Sequence, residues 1–184
     1  MSLSFKTAGR RPSSLPLVTN AALPSTGWQI AQINIARARA PLTDNSMAGF
    51  VQQLDSVNAL AERSPGFVWR LKAPDLSASS YIGDPEDDRI IVNMSVWTTI
   101  EALHDYVYRT AHGAVYADRK RWFEPLDRPG VALWWVRQGC IPSLSEGRTR
   151  LDWLRDNGPT PAAFTFKQRF NPPGDGDLRH IVPV

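Results

Sequence analysis

The segment HDYVYRTAHGAVYADRKRWF, residues 104–123, gathers two of the three histidines, three of the four tyrosines and a tryptophan of the chain. His104, Tyr108 and His112 recur at i, i+4 and i+8, so in a helix they form a single row beside the apolar stripe Ile100, Leu103, Val107 and Ala111. Imidazole, phenol and imidazole in a row suit ligand contact or proton transfer, because histidine titrates near neutral pH. Neutral imidazole is also a usual axial ligand of haem iron. Gly113 then lets a backbone or a ligand come close. Arg119 and Trp122, one turn apart, either stack as a cation–π pair or offer a clamp for an anion beside an aromatic wall. Asn34 and Asn93 stand in strand-like segments, where asparagine is disfavoured unless its amide has a partner or an edge position. Facing one cavity, they would orient a substrate carbonyl or oxygen. The competing reading of every member is ordinary: boundary residues bonded to backbone or to a neighbouring carboxylate.

The elements that must hold these residues can be traced along the chain. WQIAQINIARA, residues 28–38, reads as a strand. Asp44 or Ser46 caps a helix in which Phe50, Leu54, Val57 and Ala61 recur at helical spacing, and Pro65-Gly66 stops it. FVWRLK alternates as a second strand, with Phe67, Trp69 and Leu71 on one side. A turn-rich connection, APDLSASSYIGDPEDDR, leads to a third strand, RIIVNMSVW. Thr98 and Glu101 have capping-box spacing and open the second helix. VALWWVR is a fourth strand after Pro129-Gly130. The order strand–helix–strand–strand–helix–strand predicts an α+β, ferredoxin-like βαββαβ domain over residues 28–170. Ser143 and Glu146 cap a further helix with the apolar stripe Leu144, Leu151 and Leu154, in which Glu146 and Arg150 form an ion pair. AFTFKQRF predicts a fifth strand, completing a C-terminal helix–strand extension. Residues 1–27 read as a flexible N-terminal tail, whose Arg and Ser content without acids also fits an organelle transit peptide. Residues 171–184, with His180, read as a C-terminal tail.

Such a sheet with both helices on one face leaves the other bare. Trp134 and Trp135 are adjacent and point to opposite faces, so one of them must lie on the open side, where an apolar patch is a liability. A second copy would cover it, giving a homodimeric α/β barrel; the alternative cover is the C-terminal extension itself.

Bulk properties narrow the function. A chain of 184 residues with 42% hydrophobic and 21% charged residues forms one well-buried core. The net charge of +3 lies in Lys6, Arg10 and Arg11; beyond them 18 cations balance 18 acids. No basic stripe remains to release counterions, which argues against nucleic acid. Cys140 is the only cysteine, so neither a disulfide framework nor a thiolate metal cluster is expected, and a cytoplasmic setting is the simplest expectation. No apolar run approaches the ~20 residues that span a bilayer. Phosphate loops, HExxH, GxSxG and CxxC are absent.

The run VNMSVWTTIEALHDYVYRTAHGAVYADRKRWF, followed by VALWWVRQGCIPSLSEGRTRLDWLRDNGPTPAAFTFKQRF, resembles the family of the domain of unknown function 3291 over Trp28–Phe170. The specific marks are the spacing from His112 to Arg119-Lys-Arg-Trp122-Phe123, the Trp134-Trp135 pair, and Gly139, Pro142, Glu146 and Arg150-Leu151. That family is similar to the dimeric α/β-barrel superfamily, which includes antibiotic-biosynthesis and haem-degrading monooxygenases. The resemblance implies the same fold and a homodimer. Cofactor-free members use Asn and Trp at N-x-x-x-W, matched by Asn93-Met-Ser-Val-Trp97. Haem-degrading members end the second helix with Ala-His, matched by Ala111-His112, and use a first-strand Asn, matched by Asn34. Their further Trp is replaced here by Ala102.

The expectation is a protein that binds a small hydrophobic or aromatic molecule and oxygenates it. His112 would be an iron ligand or an acid/base, and Asn34 and Asn93 would orient substrate or oxygen. Trp97, His104, Tyr108 and Trp122 would line the pocket, and Arg119 would hold an anionic group. One version needs haem on His112; the other needs no cofactor. A non-catalytic ligand-binding domain and a purely structural dimerisation module are the alternatives.

Overall fold

Ala31, Ile33 and Ile35 fall on one side of the first strand, Ile30, Gln32 and Asn34 on the other, as the period of an extended chain requires. A computed structural model, which describes residues 27–72, 82–84, 87–110 and 119–174, makes this strand, β1 (Trp28–Arg37), the middle of an antiparallel sheet. A 3-10 turn (Asn45–Met47) leads into α1 (Ala48–Arg63), β2 (Phe67–Arg70), β3 (Ile82–Asp84) and β4 (Asp87–Trp97). Then follow α2 (Ile100–Arg109), the short α3 (Arg119–Trp122), β5 (Val131–Arg137) and α4 (Leu144–Asn157). The sheet runs β2-β4-β1-β5, with β3 also paired to β4. This is the expected ferredoxin-like α+β order, with β3 added inside the connection read as a turn-rich loop. Residues 1–26 and 175–184 of the expected tails, including His180, lie outside the described residues. So do residues 111–118, which hold Ala111, His112 and Gly113.

Local chemistry sets the helix starts. Asp44 accepts a hydrogen bond from the Ser46 backbone N–H at 2.8 Å, and the Ser143 hydroxyl accepts one from the Glu146 N–H at 3.0 Å. The cap of α2 is Thr99, whose hydroxyl accepts from the Ala102 N–H at 3.1 Å, one residue later than the Thr98–Glu101 spacing suggests. Thr98 instead donates its N–H to the Gly66 carbonyl at 2.8 Å. Gly66 has φ +82°, and a Cβ there would lie 2.6 Å from both Ala102 Cβ and Thr98 Oγ1. Only glycine lets the α1–β2 turn meet the start of α2.

Two corrections concern strands. The register of β2 shifts between Phe67 and Trp69, so Phe67 pairs with Trp97 while Trp69 pairs with Val96. The bulge sends Phe67 to the α1/α2 face and groups Trp69 and Leu71 with Val68 on the other, breaking the simple alternation expected of FVWRLK. The fifth strand expected at AFTFKQRF is reduced to a bridge, in which Leu133 and Phe164 exchange N–H and C=O groups at 2.8 and 2.9 Å. Beyond it a turn forms, with the Thr165 N–H donating to the Gln168 carbonyl at 3.3 Å, so Phe166 and Phe170 are not carried along the sheet edge.

The face expected to be bare is covered by α4. Trp134 is fully buried there with Ala31, Ile33, Met94, Val96, Leu151 and Leu154, and its indole donates to Glu146 Oε1 at 3.0 Å. Arg150 ties the same carboxylate, at 3.4 Å, to the Ala162 carbonyl, at 2.7 Å. Trp135 points to the α1/α2 side, and its indole donates to the Phe170 carbonyl at 2.9 Å. The chain's own extension, the alternative cover, thus lies over β1 and β5, while Val68, Trp69 and Leu71 at the β2 end of the same face stay half-buried. Contact is close at Gly147, where a Cβ would stand 2.8 Å from Met94 Sδ and 3.1 Å from Ile33 Cδ1.

Gly147→Val should therefore lower stability by roughly 1–3 kcal/mol through overpacking, and Trp134→Phe by about 1 kcal/mol through the lost hydrogen bond. Urea unfolding of both variants checks this, and an unchanged midpoint for Gly147→Val would contradict the seating of α4.

Candidate functional site

On the α1/α2 face, β1 presents Ile30, Gln32 and Asn34, and β4 presents Ile91, Asn93, Ser95 and Trp97. At one end Ile30 and Trp97 join Leu103, Leu133, Phe164 and Ala61 in an apolar cluster. At the other, Ile91 joins Trp122, Phe50, Met47 and Ala38. Between these clusters the sheet is polar. Asn34 and Asn93 are cross-strand partners, as are Gln32 and Ser95.

Buried polar groups need partners, and this row supplies them internally. Gln32 Nε2 donates to Asn93 Oδ1 at 2.9 Å and to Ser95 Oγ at 3.1 Å. Trp97 Nε1 donates to the same Ser95 Oγ at 2.8 Å. Above the sheet, α1 turns Phe50, Leu54, Asn58 and Ala61 inward, so buried Asn58 lies between residues of the two apolar clusters. From α2, Tyr106 stacks on Trp97 with centroids 5.0 Å apart at 25°, and its hydroxyl donates to the Val57 carbonyl at 3.3 Å. Burial pushes the Tyr106 phenol well above its ordinary range, with Arg70 opposing more weakly.

The row is made of neutral amides, a hydroxyl and an indole. It can orient a polar ligand atom by donating and accepting hydrogen bonds, but it supplies no charge. No group of three or more histidine, cysteine or acidic side chains suited to a metal occurs among the described residues. The amide row offers no imidazole for haem iron, and the histidine expected to serve it, His112, lies outside the described residues. A groove of about 540 Å³ runs along β2, lined by Glu62 and Phe67 to Lys72 on the strand next to Ser95 of the row, and another of about 320 Å³ lies between the α1–β2 turn and α2.

Of the residues singled out in the sequence, Asn34, Asn93 and Trp97 share this face. Asn34 is exposed and Asn93 half-buried. His104 and Tyr108 sit instead on the flank of α2. Their rings are 4.7 Å apart, and each lies 5.7 Å from Phe166 of the C-terminal segment. His104 Nδ1 is also 3.7 Å from Asp105. Trp122 packs against Phe50 at 5.9 Å in the far cluster, about 20 Å along β4 from Trp97. His112 and the side chain of Arg119 lie outside the described residues. Gln32, Ser95, Asn58 and Tyr106 were not singled out. For Ser95 a signal existed, since Asn93, Ser95 and Trp97 share one face by period two.

A family model described as a domain of unknown function, DUF3291, matches residues 29–179. Among solved structures, SnoaB, a cofactor-independent oxygenase from Streptomyces nogalater, is 20% identical with a TM-score of 0.42, covering 62% of this chain and 98% of its own. PA3566 from Pseudomonas aeruginosa is 13% identical with a TM-score of 0.42, covering 61% of this chain and 95% of its own. A conserved protein from Methanosarcina mazei Go1 is 10% identical with a TM-score of 0.44, covering 60% and 93%. No curated protein matches the chain.

Two outcomes follow from the geometry. Ser95→Ala strands the buried Trp97 indole and one arm of Gln32, and should cost about 1–3 kcal/mol in chemical unfolding. Unfolded, Tyr106 ionises near 10.0, while the fold keeps it protonated to higher pH. Above that pH the unfolded chain releases a proton that the native state retains, so stability falls with a slope of up to ~1.4 kcal/mol per pH unit. Tyr106→Phe should remove that part of the alkaline slope, measured as the difference between the two proteins' unfolding curves across the alkaline range.

Proposed function

The chain belongs to the DUF3291 family, and from that premise we propose that it binds a small hydrophobic or aromatic molecule over the amide row and oxygenates it without a cofactor. One observation carries the reading. The polar row Gln32, Asn93 and Ser95, anchored by the Trp97 indole, interrupts what is otherwise an apolar sheet–helix interface. Polar groups inside an apolar interface are costly unless hydrogen-bonded, and amides with hydrogen-bonding arms to spare suit a ring that carries oxygen substituents.

The chemistry asked of such a site is modest. An activated phenol supplies the electrons: an adjacent methylene reacts with dioxygen, one oxygen atom stays as a carbonyl, and the other leaves as water with the two methylene hydrogens. Asn93 and Asn34 hold the ring oxygens, and Trp97 acts only through Ser95, which its indole fixes in place. The amide row contains no group that titrates near neutral pH, so the proton acceptor is a residue elsewhere; His112 is the candidate.

The test is oxygen uptake with anthrone-type and quinol-type phenols under air. Turnover should appear with isotopically heavy oxygen in the product, and Asn93→Ala should lower kcat by about a hundredfold, the size of losing one aligned donor. Tight binding without oxygen uptake in any phenol would reject catalysis and leave the non-catalytic binding domain.

A further inference from the structure

Asn93 is held by only one arm of its amide. Its Oδ1 accepts from Gln32 Nε2 at 2.9 Å, while Nδ2 bonds to no described residue. Gln32 spends both Nε2 hydrogens, on Asn93 and on Ser95, and its Oε1 is likewise unbonded among the described residues. Neither of these two free atoms is sealed among the buried unsatisfied groups of the fold. Ser95 cannot turn away, because its hydroxyl oxygen also accepts from the Trp97 indole at 2.8 Å, and an indole N–H is only ever a donor. Trp97 is fully buried and fixed between Phe67, centroids 5.4 Å apart, and Tyr106.

Resting on the reading of this row as a ligand site, we propose that Gln32 is a positioning residue that locks the Asn93 amide so that the pair presents one donor and one acceptor together, selecting ligands with a hydroxyl beside a second oxygen on one edge, as in a vicinal aromatic diol. The logic survives exchange of amide orientations. Whichever arm of Gln32 meets Asn93, one hydrogen bond between two amides leaves one N–H donor and one carbonyl acceptor over. A ligand edge with two acceptors or two donors leaves one of them unmatched, and an unmatched polar group in such a site is penalised more than a matched one is rewarded. Neither a metal nor a charge is required. Asn34, the cross-strand neighbour of Asn93, is exposed and lies at the rim of the pair.

The probes are a vicinal dihydroxynaphthalene and its di-O-methyl ether, titrated under argon into the full-length protein and followed by tryptophan fluorescence. The two share one ring system, and only the first has a hydroxyl to donate. The wild type should bind the diol at least about tenfold more tightly than the ether, and Gln32→Met should bring that ratio close to one. Asn93→Ala, a change at a half-buried position, should also collapse the ratio and serves if Gln32→Met does not fold. A general loss of packing would weaken both probes alike, so the ratio reports positioning. A ratio unchanged in both variants, or equal affinity of both probes for the wild type, overturns the inference and leaves the small-molecule reading standing. Binding of neither probe to the wild type removes that reading and this inference together.

Discussion

β1 is packed from above and below at once. Ile30 faces α1 and α2 while Ala31 and Ile33 face α4, and all three are fully buried. A central strand covered on both sides is normally a continuous apolar run. Here it must also pair with β4 and β5 along nearly its full length, so every other layer takes its position from it. That constraint makes Gln32 conspicuous, since it stands buried on the central strand, where leucine or valine would bury more apolar surface.

The amide row is tolerated because its members satisfy one another. Gln32, Asn93, Ser95 and Trp97 form a chain in which the indole is the fixed donor and the hydroxyl the shared acceptor. Apolar clusters at both ends exclude water from the flanks, which strengthens the hydrogen bonds between them. The same two clusters explain why Trp97 and Trp122, both tryptophans of the helix-facing side, do not meet: each closes a different end of the row.

Much of the fold was legible because it is written in period and caps. Strand alternation in β1 and β4 puts Asn34, Asn93 and Trp97 on a common side, and Ser143 and the Pro65-Gly66 stop are read directly. What escaped depends on contacts distant in sequence. The stripe Leu144, Leu151 and Leu154 says that α4 has an apolar face and leaves open whether that extension or a second copy covers the sheet; Gly147, midway along it, marks the close approach. The bulge at Phe67–Trp69 is a backbone event that no residue type there announces. On α2, helical spacing correctly groups His104 with Tyr108, and the burial of Ile100 and Leu103 goes with a rotation that lays Tyr106 on Trp97 and the other two rings against Phe166.

The placement of α4 has a temporal side. The last strand of the sheet ends at Arg137, and the helix that covers it begins at Leu144. As the chain leaves the ribosome, segments nearer the N-terminus emerge first, so the sheet can assemble while the side bearing Trp134, Met94 and Ile33 is still wet. During that interval the nascent domain exposes an aggregation-prone surface. Gly147 leaves little room for a loosely seated intermediate, because the helix backbone must come down against Met94 for Leu151 and Leu154 to reach the core. Completion of the fold is thereby postponed to one late docking event.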